Sequence, residues 1–107
     1  MWRPTNIDEL DAMIEESELD MSKGCRKFWD YIKINPEKWD LPPMGDDGGG
    51  FWVVAVLGKT CIYYNDIEEG FNMSSYETFG RIDNYYCNQS DLLSQVDYLY
   101  KEISKWN

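Results

Sequence analysis

Residues 51–57 read Phe-Trp-Val-Val-Ala-Val-Leu, which places seven apolar side chains in a row. A strand with one face in water would alternate apolar and polar residues, because successive side chains point to opposite faces of a sheet. The run ends at Gly58-Lys59, and a second apolar run occupies 60–64. Glycine at the first of two linking positions favours a type II′ hairpin. We therefore predict that 51–57 is a central strand, covered on both faces and paired with 60–64.

The N-terminal third of the chain has the apolar spacing of helices. An Asn-x-x-Glu capping box at 6–9 precedes apolar residues at helical intervals, which predicts a helix over 7–17. A second apolar face predicts a helix over 22–34. Pro36 cannot continue this helix, and we expect it to open a short extra turn through Trp39.

The remaining segments complete an α+β layout. The stretch 39–50 is rich in glycine and proline, and we expect it to be the loop that joins the helical part to the sheet. Further strands are predicted at 71–73 and 78–86, and a final helix at 90–105. The chain of 107 residues is thus predicted to form a single α+β domain. It comprises two N-terminal helices, a three- to four-stranded mainly antiparallel sheet and a C-terminal helix.

Acidic residues are abundant and unevenly placed. The chain has 20 acidic and 10 basic residues, a net charge of −10. Residues 1–20 and residues 66–97 each hold seven acids against one arginine. Glu15, Glu16 and Glu18 lie in the later turns of the first helix, where the helix dipole disfavours them, so their placement serves something other than helix stability. Such a surface repels nucleic acid and anionic membranes and attracts basic proteins, although acidity for solubility alone is the alternative explanation.

Catalysis is disfavoured by the residue types that the chain lacks. It has no histidine, which removes the commonest general base and the usual nitrogen ligand of zinc. Adjacent carboxylates at 46–47 and 68–69 are suited to acid–base chemistry, but neighbouring acids arise by chance in so acidic a chain. We therefore expect no enzymatic activity, no cofactor and no metal site.

The cysteines favour a reducing compartment. The chain has three of them, an odd number without the close spacing of a metal knuckle or a disulfide framework. Cys25 lies on a helical apolar face and Cys61 within a strand, so both are interpreted as packed structural thiols. The N-terminus lacks the apolar core of a signal peptide, and no apolar run is long enough to span a membrane. We expect a cytoplasmic protein.

Tyrosines interleaved with acids point to a binding surface. Tyrosine beside carboxylates is a favourable contact for lysine- and arginine-rich partners. In the adjacent pairs Tyr63-Tyr64 and Tyr85-Tyr86, strand alternation would expose one ring of each, although burial in the core is the competing expectation. The predicted partner-binding residues are Asp46, Asp47, Tyr63, Asp66, Glu68, Glu69, Tyr76, Asp83 and Tyr85.

Residues 66–93, about a quarter of the chain, carry a family resemblance. The features are the run Asn-Asp-Ile-Glu-Glu-Gly-Phe-Asn at 65–72, Gly80 with Ile82, and Asn-Gln at 88–89 before the final helix. In these the chain resembles bacterial immunity proteins of the contact-dependent growth inhibition type. The resemblance implies a protein that binds the C-terminal toxin domain of a secreted effector and blocks its active site. Such toxins are often nucleases, hence basic, which fits the net charge of −10.

Two further functions remain open at this stage. One is a small acidic adaptor or housekeeping interaction module without a toxin partner. The other is an enzyme that uses paired carboxylates. The leading hypothesis is an immunity protein that neutralises a basic toxin domain without contacting nucleic acid or membrane itself.

Overall fold

A computed structural model describes residues 3–105, which form three α-helices and a four-stranded antiparallel sheet. The elements in chain order are α1 (Ile7–Asp20), α2 (Lys23–Ile32), β1 (Lys33–Trp39), β2 (Phe51–Leu57), β3 (Thr60–Asn65), β4 (Gly70–Ser75) and α3 (Leu92–Ser104). The strands are ordered β1-β2-β3-β4, so each pairs with its neighbour in sequence. The predicted α+β layout is confirmed. None of the helices in this range has the length and apolar character needed to cross a bilayer.

Strand β2 is central and covered on both faces, as its unbroken apolar run predicts. All three helices pack on one face, where Leu10, Trp29 and Val96 join Val54 in one core. The opposite face is covered by loop residues, which surround Val53 in a second core. These loop residues include Leu41, Tyr76 and Ile82.

The β2–β3 connection has the predicted hairpin form. Gly58 has a φ of 58°, which the first position of a type II′ turn requires. The capping box is also present, since the Asn6 side chain accepts from the Glu9 N–H at 2.9 Å and the Glu9 carboxylate accepts from the Asn6 N–H.

Three details of the sequence interpretation are wrong. The second helix ends at Ile32, and residues 33–39, expected to be helix and an extra turn, form the edge strand β1. Pro36 is tolerated there because an edge strand leaves N–H positions unpaired, and the register is irregular between Lys33 and Glu37.

The loop before β2 therefore joins two strands, not a helical part and a sheet. The predicted strand at 78–86 is also absent from the described chain, which is irregular there. Its residues 80–82 make only an isolated backbone bridge to Asp40, and side chains of β3 and β4 bind the backbone of Asn84 and Tyr86. The Tyr63 hydroxyl donates to Asn84 O and accepts from Tyr86 N–H, and the Asn65 amide donates to Tyr86 O.

Candidate partner-binding site

The two acidic segments meet at one cleft. It lies between α1 and the start of α3, above the beginning of β4, and has a volume of about 280 Å³. Four carboxylates line it: Glu16 and Asp20 from α1, Glu69 from the β3–β4 turn, and Asp91 from the residue that caps α3. The cleft thus joins acids that are far apart in sequence.

Helix geometry brings two of these carboxylates to the cleft. Met13, Glu16, Ser17 and Asp20 follow the i, i+3, i+4, i+7 spacing of one helix face, and all four line the cleft. Leu10, one turn earlier, is fully buried in the core and anchors this side of α1. Glu16 and Asp20, two of the acids in the later turns that the helix dipole disfavours, therefore form part of one wall of the cleft.

Local hydrogen bonds position the other two carboxylates. The Asn65 side chain accepts from the backbone N–H groups of Ile67 and Glu68, at 3.1 and 3.2 Å, and so shapes the turn that presents Glu69. Glu69 itself adopts a φ of 57°, a left-handed conformation that non-glycine residues rarely take. Asp91 accepts from Ser94 N–H at 2.8 Å, which caps α3 and fixes the carboxylate at the rim.

Gly70 allows the chain to close around this site. A Cβ atom at this position would lie 2.0 Å from the Asn88 carbonyl oxygen, so any side chain would displace residues 88–89. The backbone of Phe71 donates to Ser90 O at 2.7 Å just beyond this contact. Ser90 and Asp91 are thereby held against the start of β4.

No lysine or arginine lines the cleft, and none forms an ion pair with its four carboxylates within residues 3–105. Five cations of that range form ion pairs, all of them elsewhere: Arg3 with Glu9, Arg26 and Lys33 with Asp30 and Glu18, Lys101 with Asp97, and Lys105 with Glu102. Burial, with Glu69 and Asp66 nearby, raises the pKa of Tyr64, a residue that lines the cleft. The cleft is negative, and none of its four carboxylates is in an ion pair within the described residues.

The other flank of α1 differs. A groove of about 330 Å³ there is lined by Asp11, Glu15 and Glu18 together with Lys33. Glu18 accepts from the Trp29 indole N–H at 2.8 Å and lies 4.0 Å from the Lys33 ammonium. This flank therefore carries acids whose charge is partly compensated.

An uncharged groove begins where the cleft ends. It has a volume of about 470 Å³ and shares Ser90 with the cleft. Tyr86 and Tyr98, which are 45% and 60% exposed, stand at its walls beside amide and hydroxyl side chains. The first turns of α3 thus have carboxylates on one side and accessible tyrosine rings on the other.

Of the nine residues predicted to bind a partner, Glu69 lines the cleft and three are buried. Tyr63 is fully buried, and Tyr76 and Asp66 are only 8% exposed. The expectation that one ring of the Tyr63-Tyr64 pair is exposed is wrong, because both faces of β3 are covered.

Each buried residue has an internal partner. The Tyr76 hydroxyl donates to Gly58 O at 2.6 Å, and the Asp66 carboxylate accepts from Thr5 N–H at 2.9 Å. Burial raises the pKa of Asp66. These side chains hold the fold and do not form a surface.

The other five predicted residues lie outside the cleft. Asp46 and Asp47 are exposed in the loop before β2, and Glu68 lies half-buried in the turn beside Glu69. Asp83 accepts from the Ser75 hydroxyl at the far end of β4, and the Tyr85 ring packs on Phe51 in the second core.

Sequence reasoning missed Glu16, Asp20 and Asp91, which line the cleft. A signal existed for the first of these, since the acids late in the first helix oppose its dipole. Asp91 gave no such signal, because an acid that caps a helix serves stability as well. Tyr98 was hidden within the predicted final helix.

Within residues 3–105, no three histidine, cysteine or acidic side chains converge closely enough to hold a metal ion. Comparisons of the chain with protein-family models, with curated proteins and with solved structures find no match.

Proposed function

We propose that this protein binds a basic protein through the acidic cleft and neutralises it, in the manner of an immunity protein that blocks a toxin domain. The observation that carries the proposal is the cleft itself. Four carboxylates from two distant acidic segments line it, and no lysine or arginine of residues 3–105 forms an ion pair with them. An uncompensated charge of this kind is costly in a free protein and is relieved when a basic partner binds.

A nuclease domain is the toxin class that fits best. Nucleases hold the phosphates of their substrate with lysine and arginine, so their active sites are basic. Carboxylates of the cleft would take the place of phosphates, while Tyr86 and Tyr98 beside it supply exposed aromatic contacts. The cytoplasm, where a nuclease would reach nucleic acid, is the proposed location.

Capture of the partner from the native cell, followed by a growth assay, tests this function. We expect the captured protein to be basic and to arrest growth when it is expressed alone. Co-expression with the present protein should restore growth. A captured partner that is acidic or harmless to the cell would contradict the proposal and favour an adaptor function.

Association kinetics provide a second test of the same proposal. Steering by the acidic surface predicts that the association rate falls steeply as salt rises from low to physiological concentration. The paired change Glu16→Gln and Asp20→Asn should slow association and weaken binding about tenfold or more. Asp11→Asn with Glu15→Gln changes the net charge equally on the other flank of α1 and should have a smaller effect. An association rate that does not respond to salt would refute steering.

A further inference from the structure

One buried polar group in the cleft has no partner within residues 3–105. Ser17 is 9% exposed and lines the cleft, and its hydroxyl makes no hydrogen bond there, unlike Ser104, which donates to Tyr100 O in its own helix at 2.8 Å. Every side-chain nitrogen or oxygen of this range that is fully sealed from solvent does have a partner. The Ser17 hydroxyl therefore opens into the cleft, where a ligand can reach it. A ligand that excludes water from the cleft would bury this hydroxyl, and a buried hydroxyl is normally hydrogen-bonded, so such a ligand is expected to bond to it.

The carboxylates of the cleft surround its space without converging on a point. They come from α1, the β3–β4 turn and the start of α3, and no three of them approach closely enough for a metal ion. A compact ammonium group, with three donors on one nitrogen, can satisfy acceptors only around a single point. A guanidinium group spreads five N–H donors over a plane, which suits acceptors on several walls.

Apart from Gln89 and Ser90, the other residues that line the cleft are apolar or aromatic. They are Met13, Tyr64, Phe71, Leu92 and Leu93. An arginine side chain lays its methylene groups along apolar surface while its head reaches polar groups, and its planar head also stacks on aromatic rings. The mixture of apolar walls, spread carboxylates and one hydroxyl acceptor matches such a side chain.

We propose that the cleft is the pocket for a single arginine side chain of the partner, a proposal that rests on the binding function above. The guanidinium donates to the Ser17 hydroxyl and to carboxylates among Glu16, Asp20, Glu69 and Asp91, while its methylene groups lie on the apolar walls. The pocket selects arginine over lysine by the geometry of its acceptors. The partner is thereby recognised by one side chain as well as by its overall charge.

A blocked glycine peptide with one central arginine tests the pocket without any partner protein. In NMR titrations, we expect saturable shifts of backbone amides that line the cleft, including those of Ser17 and Glu69. The matching lysine peptide should bind several-fold more weakly, and the citrulline peptide, which keeps the shape but loses the charge, should not bind. Equal binding of the lysine and arginine peptides, or shifts spread over the whole acidic surface, would overturn the proposal.

Three variants make the test specific. Ser17→Ala leaves the net charge unchanged, yet it should weaken the arginine peptide several-fold by removing one acceptor. Glu16→Gln with Asp20→Asn should weaken it about tenfold or more, because hydrogen bonds to charged groups are the strong ones. Asp11→Asn with Glu15→Gln is the control and should leave binding near the wild-type level. Equal loss in the control pair would show general charge attraction and refute the pocket.

The outcome separates this proposal from the proposed function. Arginine-peptide binding at the cleft, with no toxic partner captured from the cell, would leave the pocket standing and remove the immunity function. Neutralisation of a toxic partner that is weakened by the Glu16 and Asp20 changes but not by Ser17→Ala, with no binding of the arginine peptide, would do the reverse.

Discussion

At the scale of single residues, burial sets the ionisation of two side chains on β3. Cys61 and Tyr63 both face the loop-covered core and are fully buried. Burial raises the pKa of each to about 12. A thiol held in this neutral form is a poor nucleophile, so Cys61 acts as a packing group.

The alkaline stability of the protein should report this burial. The unfolded chain releases the Cys61 proton near pH 9.0, while the folded chain retains it until pH is about 12. Because the folded state then binds more protons, the free energy of unfolding falls as pH rises through this window. The full difference corresponds to at most about 4 kcal/mol. We expect Cys61→Ala to be less stable than wild type at pH 7, and this gap, measured by chemical denaturation, to shrink as pH rises.

Cys87 provides the matched control for that experiment. It is exposed, so Cys87→Ala leaves the buried thiol in place. This variant should lose stability with rising pH as wild type does. A gap between wild type and Cys61→Ala that stays constant through the alkaline range would contradict the assignment.

At the scale of elements, the sequence predicts those that are defined by local periodicity. The apolar run 51–57 and the capped helix α1 are specified by residues within each element, and both form. Strand β1 was missed because it begins at the residue directly after α2. Its Pro36 is acceptable only at the edge of the sheet, which is where this strand lies. Its position depends on pairing with β2, a long-range contact that no local pattern encodes.

The segment 84–90 shows the same limit in another form. It begins within the predicted strand 78–86, yet its backbone is held largely by side chains from β3 and β4. The Asn72 amide donates to Gly70 O and Asn88 O, and its carbonyl oxygen accepts from Asn88 N–H at 3.1 Å. Asn65 and Asn72 thus position the chain that leads into the cleft.

Asn72→Asp should destabilise the fold where segment 84–90 is attached, because it places a buried negative charge there. Asn72 is fully buried, so a carboxylate there would face two carbonyl oxygens in place of the amide donor. An uncompensated buried charge costs about 3–5 kcal/mol. Burial would raise the folded-state pKa of the new aspartate, so the folded state binds more protons, and stability is lost as pH rises through that pKa. Chemical denaturation at pH 4 and pH 7 should show the larger loss at pH 7. A loss that is equal at both values would contradict this assignment.

At the scale of the whole molecule, the fold brings together acidic segments that are far apart in the sequence. Composition and charge segments could be predicted from the sequence, including the net −6 of residues 1–20 and of residues 66–97. That the two segments meet could not, because it requires α1 and the start of α3 to pack on the same face of the sheet. The candidate site is a consequence of tertiary packing, and most of the residues predicted to form it lie elsewhere.

A site built from unpaired acids should cost the free protein stability, and this cost is measurable without a partner. Neutralising two cleft acids with Glu16→Gln and Asp20→Asn removes like-charge repulsion and should raise Tm by roughly 2–4 °C in low salt. High salt screens this repulsion, so the gain should shrink there. Asp11→Asn with Glu15→Gln should gain less, since that flank also contains Lys33.

Relief of the helix dipole alone would also favour the α1 changes. Glu69→Gln separates the two causes, because this residue lies in a turn and on no helix. A salt-sensitive gain in Tm for Glu69→Gln attributes the effect to the cleft, whereas no gain would attribute it to α1 and contradict electrostatic strain in the site.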